Sequence, residues 1–577
     1  MKNHATVLLL LCLLAGVLFF VGLGTPGLFD ADEPAYAQAA REMMERGDWV
    51  TPTFNGNPRF DKPVLFYWLI IASYRIFGVT EFAVRCWSAL SAVGLTLMLC
   101  LAARRWFGPP ADLWAGLAFA TSALTALLAR AAVTDMLLTL FVTAAVLSFL
   151  AALESSTQPL PLLSPTSGGE ARARGKAGRA WARAGWGAMA LAVLVKGPVG
   201  LVIPALALGP ALLILREFRS GLRRLIPWEG PVLFLALAAP WYVLVWNANG
   251  WAFVEGFILK HHVTRYTGVV SSHAGPLWYY LPVILVGFFP WSGFLPAALW
   301  AAWRTARARR AERPADRALV ICACWLLGLF LFFSAAGTKL PSYLFPAFPA
   351  MALLVGACGI ENEKSSIDEA RIQSRLARLA PWIIGLVGAL LAIGFALIPF
   401  LFDRLRPAAR GVLDGVPAPT VLAFALAALV GIGTAAGLLA RGPARPAVLA
   451  AMMACLILAA GSFVAPGAHR ILQAPLRDFS ERARQVLGPG DPLVVYGLNA
   501  PSIVFYAGRT VIPMGAGSPG ALESLQSLAN SGRPVVIITR AVLASQLDRV
   551  PGLSRWAARG GYAVYGAPET ARSRLSP

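Results

Sequence analysis

The sequence predicts a polytopic helical membrane protein with a small α/β domain at its C-terminal end. Three observations predict it. Of 577 residues, 57% are hydrophobic and only 14% charged, with a mean hydropathy of +0.64, whereas soluble domains carry about a quarter charged residues. Apolar runs long enough to cross a bilayer recur from residue 6 to residue 464. After Pro466 the pattern changes to short β-branched runs that alternate with polar helical stretches.

The apolar runs predict about thirteen helices, near 6–24, 83–102, 112–128, 132–151, 183–196, 199–215, 230–247, 277–301, 318–335, 341–358, 380–401, 419–439 and 446–464. The first has the apolar core of a signal peptide but no small-residue cleavage site after it, so it is read as a helix. Pro198 and Pro204 interrupt the pair around 183–215. Phe66 to Phe77 is aromatic-rich and too short to span, which suits an interfacial or re-entrant segment. The proline-, glycine- and arginine-containing stretch 156–180 reads as a flexible linker.

The net charge of +21 has a membrane explanation. Alternate short loops hold 23 of the 50 basic residues, from Arg104 and Arg105 to Arg441 and Arg445. The positive-inside rule makes that set cytoplasmic. The other set, including 25–82, 248–276, 336–340, 402–418 and everything after about 465, then faces out. This distribution argues for a multi-pass membrane protein with a cytoplasmic N-terminus and no nucleic-acid partner. All seven cysteines fall in or beside apolar runs, so neither a disulfide framework nor a cysteine zinc site is indicated.

In the outer domain, Pro492 to Tyr496, Thr510 to Ile512 and Pro534 to Thr539 read as buried strands, with Tyr562 to Tyr565 as a last one. Helices are expected near 519–530 and 540–548. The domain division is therefore 1–465 in the membrane and 466–577 outside it. No G-x-G-x-x-G loop is present to make the second part a nucleotide-binding domain.

The chemistry is expected in the outer loop 25–82. Asp30, Asp32 and Glu33 follow the first apolar run at once. Ionised carboxylates are costly in hydrocarbon, so they must lie in water or line a polar cavity. Asp32 or Glu33 suits a helix cap and Pro34 a first helical position, with the helix ending near Gly47. Asp61 and Lys62 close the loop beside an aromatic belt, at the depth of a lipid phosphate. Asp135 opens an apolar run at its outer end, where an ionisable group is either a helix cap or a site residue. His262 and Arg265 are three residues apart, and an arginine there suits phosphate. Lys339 precedes Pro341 at an outer helix mouth, with Tyr343 about one turn further in. Asp32, Asp61, Lys62, Asp135, Lys196, His262, Arg265 and Lys339 all fall on one side, which argues for a shared site.

These stretches resemble a known family. Asp32-Glu33 with Tyr36, Arg41-Glu42-Met43, Gly47-Asp48-Trp49, Asp61-Lys62-Pro63, Thr134-Asp135-Met136 and Lys196-Gly197-Pro198 stand in its order. So do His262 with Arg265, Pro276-Leu277-Trp278-Tyr279-Tyr280 and Lys339-Leu340-Pro341-Ser342-Tyr343. The chain resembles the bacterial aminoarabinose transferases of lipid A modification, polyprenyl-phosphate-dependent glycosyltransferases related to protein O-mannosyltransferases. The resemblance implies a GT-C membrane fold with a periplasmic site and an undecaprenyl-phosphate-linked sugar donor. It implies inverting transfer to lipid A or a related envelope acceptor. Asp32 takes the place of the catalytic carboxylate, with Glu33 beside it and Asp135 as a second acid. Lys62 and Arg265, with Tyr343 and Lys339 nearby, would hold the carrier phosphate. Asp61 and His262 stand at a family site for a divalent metal such as zinc. Two departures are visible: aspartate stands at 61 where the family tends to have glutamate, and Pro34-Ala35 stands where an arginine often precedes the tyrosine. A protein or another glycan as acceptor is the nearest alternative. A lipid flippase would require inverted repeats and mid-membrane charges, and neither is legible.

Overall fold

A computed structural model describes residues 4–155, 168–268, 274–308, 313–358, 376, 378–405 and 419–567. The first part of the expected linker, the loop at 406–418 and the basic residues 359–375 lie outside the described residues. Among the described residues, eight helices are long and apolar enough to cross a membrane, and ten spans result if each of two bent pairs counts as one. The bent pairs are Ala111–Ala120 with Ala123–Ala129, at 62°, and Tyr280–Gly287 with Trp291–Ala308, at 111°. The other three expected spans fall on His4–Phe20, on the second half of Gly168–Lys196 and on Val199–Ile214. Helix Gly168–Lys196 starts inside the stretch read as a linker, because its arginines and alanines favour helix. Pro204 and Pro210 are accommodated within Val199–Ile214; the break falls instead at Gly197, whose φ is +78°.

Glu81–Phe107, Thr134–Glu154 and Pro341–Cys358 form the inside of the bundle. Small residues let them pack closely. A Cβ on Gly356 would lie 2.9 Å from the Ala111 carbonyl oxygen, so Phe348–Cys358 could not approach Ala111–Ala120 with any larger residue there. Glu229–Asn249, Leu379–Leu405 and Thr420–Leu439 lie at the edge and expose leucines, as lipid-facing helices do.

On one side of the bundle the first loop folds over its mouth. Helix Asp32–Arg46 ends at Gly47 in the left-handed conformation, then a two-strand hairpin forms, Thr53–Phe54 against Asn57–Pro58. Asn55 and Gly56 both have positive φ, as a two-residue hairpin turn requires. The Glu42 carboxylate accepts from Thr53 Oγ1 at 2.7 Å and Asn55 N at 2.8 Å, tying the hairpin to the helix.

The last span, Ala444–Leu472, continues past residue 465 and hands over to Ala474–Val486. A five-stranded sheet follows, in the order 512–514, 493–496, 535–540, 562–567, 554–559. The first three are parallel and the last two pairings antiparallel. Alternation along the strands explains the layering. Leu493, Val495, Val536 and Ile538 face Ala474–Val486 and Pro501–Ala507, while Val494, Tyr496, Val535 and Ile537 face Ala521–Ala529 and Ala544–Leu547.

Candidate functional site

Asp32 and Glu33 are neighbours with opposite surroundings. Successive helical residues point about 100° apart, so only one of them can face inward. Glu33 does: it is 5% exposed and pairs with Arg85 at 2.6 and 2.8 Å. It also accepts from the backbone N–H of Phe29 at 2.9 Å and of Ala132 at 2.7 Å. Arg85 spends its remaining donors on the carbonyls of Leu23, Pro26 and Gly27, so every guanidinium donor is satisfied. Glu33 is thus turned into a buried ion pair, away from the site expected for it. The helix starts at Asp32 without a side-chain cap, and Pro34 is its third residue rather than its first. Asp32 carries no hydrogen bond or ion pair among the described residues and opens into a cavity.

That cavity holds about 510 Å³. Asp32, Tyr36, Lys62, Asp135, Lys196, His261, Arg265 and Tyr343 line it on one side. Val199, Val202, Ile203, Phe332 and Phe333 line it on the other and make an apolar trough between two helices. Lys62 is half-buried and donates to the Asp61 carbonyl at 2.9 Å. Burial, and then the nearby Lys196 and Arg265, push its amine down to about 8, against the pull of Asp61 and Asp135. Asp135, in the first turn of Thr134–Glu154, accepts from Lys196 Nζ at 2.7 Å. Lys196 also sits over the Tyr343 ring, 5.6 Å from its centre. Arg265 follows the π-helical run Val254–Thr264 and has a buried Nε without a hydrogen-bond partner. Three cations thus surround two acids in a water-accessible pocket with one greasy wall, the arrangement an anionic headgroup on a long apolar tail requires.

Two expected members are elsewhere. Lys339 is 6% exposed and donates to the Ala336 carbonyl at 2.6 Å; it does not line the cavity, and Lys196 supplies the ammonium instead. The Thr338 N–H to Arg265 O and Gly337 N–H to Tyr266 O bonds hold the Lys339 segment edge-on to the site. Asp61 lies just behind the cavity wall. Its carboxylate accepts from His261 Nε2 at 2.8 Å and Arg59 Nη2 at 2.9 Å. Burial alone would raise that carboxyl, but His261 and Arg59 hold it well below the usual carboxylate range. The side chain of His262 lies outside the described residues. Arg59 and His261 both hold the Asp61 carboxylate, and among the described residues no third histidine, cysteine or carboxylate joins them within ligating distance. The described cluster that does meet such a spacing, His4, Cys100 and Asp112, is far from the cavity, and Arg104 holds its aspartate.

Three contributions were not read from the sequence as part of the site: Arg85, His261 as the partner of Asp61, and the partnership of Lys196 with Asp135. Arg85 was findable, as an arginine just inside the apolar run 83–102. His261 was not, since a π-helical turn shifts which side chain of an adjacent pair faces inward.

The fold and the cavity at its mouth define a membrane protein of the GT-C class of folds. The chain matches the family model "Dolichyl-phosphate-mannose-protein mannosyltransferase" over residues 6–248. It is 26% identical to the crystal structure of ArnT from Cupriavidus metallidurans bound to undecaprenyl phosphate, with a TM-score of 0.76 and 98% of each chain covered. An archaeal oligosaccharyltransferase from Archaeoglobus fulgidus shares the fold, at 13% identity and a TM-score of 0.50, over 94% of this chain and 70% of that one. Among curated relatives, the undecaprenyl phosphate-alpha-4-amino-4-deoxy-L-arabinose arabinosyl transferase of Pectobacterium atrosepticum is 31% identical over 414 residues, 70% of this chain and 67% of that one. A second such transferase, from Proteus mirabilis, is 32% identical over 367 residues, 63% of this chain and 61% of that one. The chain belongs to this family of undecaprenyl phosphate-aminoarabinose arabinosyl transferases. The alignments with the Proteus mirabilis transferase and with two further relatives span 61%, 59% and 65% of those chains, a little under two thirds of their length.

Proposed function

We infer that the protein transfers 4-amino-4-deoxy-L-arabinose from undecaprenyl phosphate to lipid A, or to a related envelope lipid, at the outer face of the bacterial inner membrane. One observation carries the reading: Lys62, Lys196 and Arg265 converge on a cavity that also holds the open carboxylate of Asp32 and the apolar trough at Val202 and Phe333. The polyprenyl chain runs along the trough, and its phosphate sits between Lys62 and Arg265, with Tyr343 beside it. The bond from the anomeric carbon to the carrier phosphate breaks, and the phosphate leaves with the electron pair. An acceptor oxygen forms the new bond from the opposite side, which inverts the centre. Cations aimed at the leaving oxygen lower that barrier. If the acceptor is a phosphate, it is already anionic, and Asp32 acts by positioning and by stabilising positive charge on the sugar. If it is a hydroxyl, Asp32 takes its proton. Asp135 accepts a hydrogen bond from Lys196 and keeps that ammonium aimed into the cavity.

The same reading places the sheet domain in the periplasm and the N-terminus in the cytoplasm, supported by the alternation of basic loops. The match to a protein mannosyltransferase model over 6–248 favours one second reading, in which a protein hydroxyl is the acceptor. Mass spectrometry of lipid A and of envelope glycans and glycoproteins, from cells with and without the gene, separates the two. Loss of an aminopentose from lipid A is expected; an unchanged lipid A would overturn the first reading.

A further inference from the structure

A second cavity, of about 330 Å³, lies at the other end of the bundle from the donor site. Arg179 and Lys196 belong to one helix, Gly168–Lys196; the residues between them put the two sites roughly 25 Å apart. Arg179, Arg223 and Arg224 line the cavity, with Glu229 as its one acid and Trp228 at its rim. Among the described residues none of the three arginines has an ion pair or a side-chain hydrogen bond. Elsewhere on the molecule basic side chains are commonly matched, as in Arg317 with Glu217 and Arg105 with Glu154.

The neighbourhood sets the depth of this pocket. The short helix Phe218–Leu225 mixes arginines with exposed Phe218 and Leu222, and Ile226 and Trp228 beyond it are also exposed, Trp228 at 74%. Exposed apolar side chains next to arginines mark a segment lying in the headgroup layer. Space is left for a guest: a Cβ added to Gly175 would meet nothing within 4 Å.

We propose that Arg179, Arg223 and Arg224 form a binding site for the phosphate headgroup of an anionic phospholipid in the leaflet opposite the donor cavity. Arginine forks match phosphate oxygens, Trp228 packs on the upper acyl chain, and a basic pocket between helices at a membrane surface is the form such sites take. Arg179 and Arg223 are exposed and Arg224 is partly buried, and all three line one cavity although they come from two separate helices.

The full chain, purified in neutral detergent, is titrated with cardiolipin and with phosphatidylcholine and read by native mass spectrometry. Cardiolipin is expected to be retained in preference, and retention to fall at least fivefold in the double variant Arg223→Gln/Arg224→Gln. The double variant Arg378→Gln/Arg441→Gln, which removes two exposed arginines at other helix ends, should leave it unchanged. Gly175→Leu, which fills the cavity and keeps every charge, should weaken retention as well, so the result does not rest on one variant's folding. Equal retention of both lipids, equal loss in both arginine pairs, or displacement of cardiolipin by millimolar inorganic phosphate overturns the proposal.

Discussion

Ser502 donates its backbone N–H, at 2.8 Å, and its hydroxyl to the two carboxylate oxygens of Asp30. A residue of the outer sheet domain thereby grips the chain two positions before Asp32. The grip is reinforced around it. Tyr506 Oη accepts from Leu28 N at 2.8 Å, Asn55 exchanges two hydrogen bonds with the Val511 backbone, and Arg477 pairs with Glu81 at 3.1 Å. Burial raises the Asp30 carboxyl, and the Ser502 bonds oppose that rise. The sheet domain therefore takes part in shaping the loop that carries Asp32.

Ser502→Ala should leave the protein folded and lower kcat by about tenfold, since a hydrogen bond to a charged group is worth roughly 1.5–3 kcal/mol. KM for the carrier lipid should change little, because Lys62 and Arg265 are not touched. Steady-state kinetics on purified protein provide the check; an unchanged kcat would mean that the domain merely caps the loop.

Replacing Asp32 by Asn keeps the shape and removes the charge. Transfer should fall by about 10²–10⁴-fold, while binding of undecaprenyl phosphate persists. Turnover at the wild-type rate would remove Asp32 from the mechanism.

Lys62 makes carrier binding pH-dependent, with a definite sign. Its amine titrates at about 8 without ligand, and a bound phosphate raises that value because it favours the ammonium. Binding therefore takes up a proton. Affinity should be level below about pH 8 and fall above it, by up to about tenfold per unit, until the bound-state value is passed. Lys62→Gln should bind more weakly at neutral pH and lose this dependence. Calorimetry across that range tests it, and a wild-type profile that stays flat would refute the role.

Glu33 and Arg85 predict a stability effect instead of a kinetic one. Removing either partner strands a buried charge, so Glu33→Ala or Arg85→Ala should cost about 3–5 kcal/mol. Arg85→Lys should not restore the loss, since an ammonium cannot reach three carbonyls and a carboxylate together. Thermal unfolding in detergent measures this; variants as stable as wild type would show that the pair is dispensable.

Much of the architecture was legible because hydrocarbon and water sort side chains without reference to the rest of the fold. Ten of the expected apolar segments coincide with helices or bent helix pairs able to span, and Leu493–Tyr496 and Val535–Arg540 lie where β-branched runs placed strands. Strand Ser554–Arg559 was missed, since it holds no β-branched residue and lies at the sheet edge. The hairpin at Asn55-Gly56 was not read from the sequence either, although an Asn-Gly pair is a hairpin signal.

What the sequence determined by itself was the membrane bundle, the outer domain and which loops hold the charged residues, because those follow from transfer energies and short-range periodicity. Only the tertiary structure decided which of two adjacent acids, Asp32 or Glu33, meets the cavity, which lysine, Lys196 or Lys339, supplies the ammonium there, and that His261 pairs with Asp61. Each of those choices turns on a rotation of one residue about a helix, or on a partner that lies far along the chain. Composition cannot see such differences, while a close-packed interior admits only one of them.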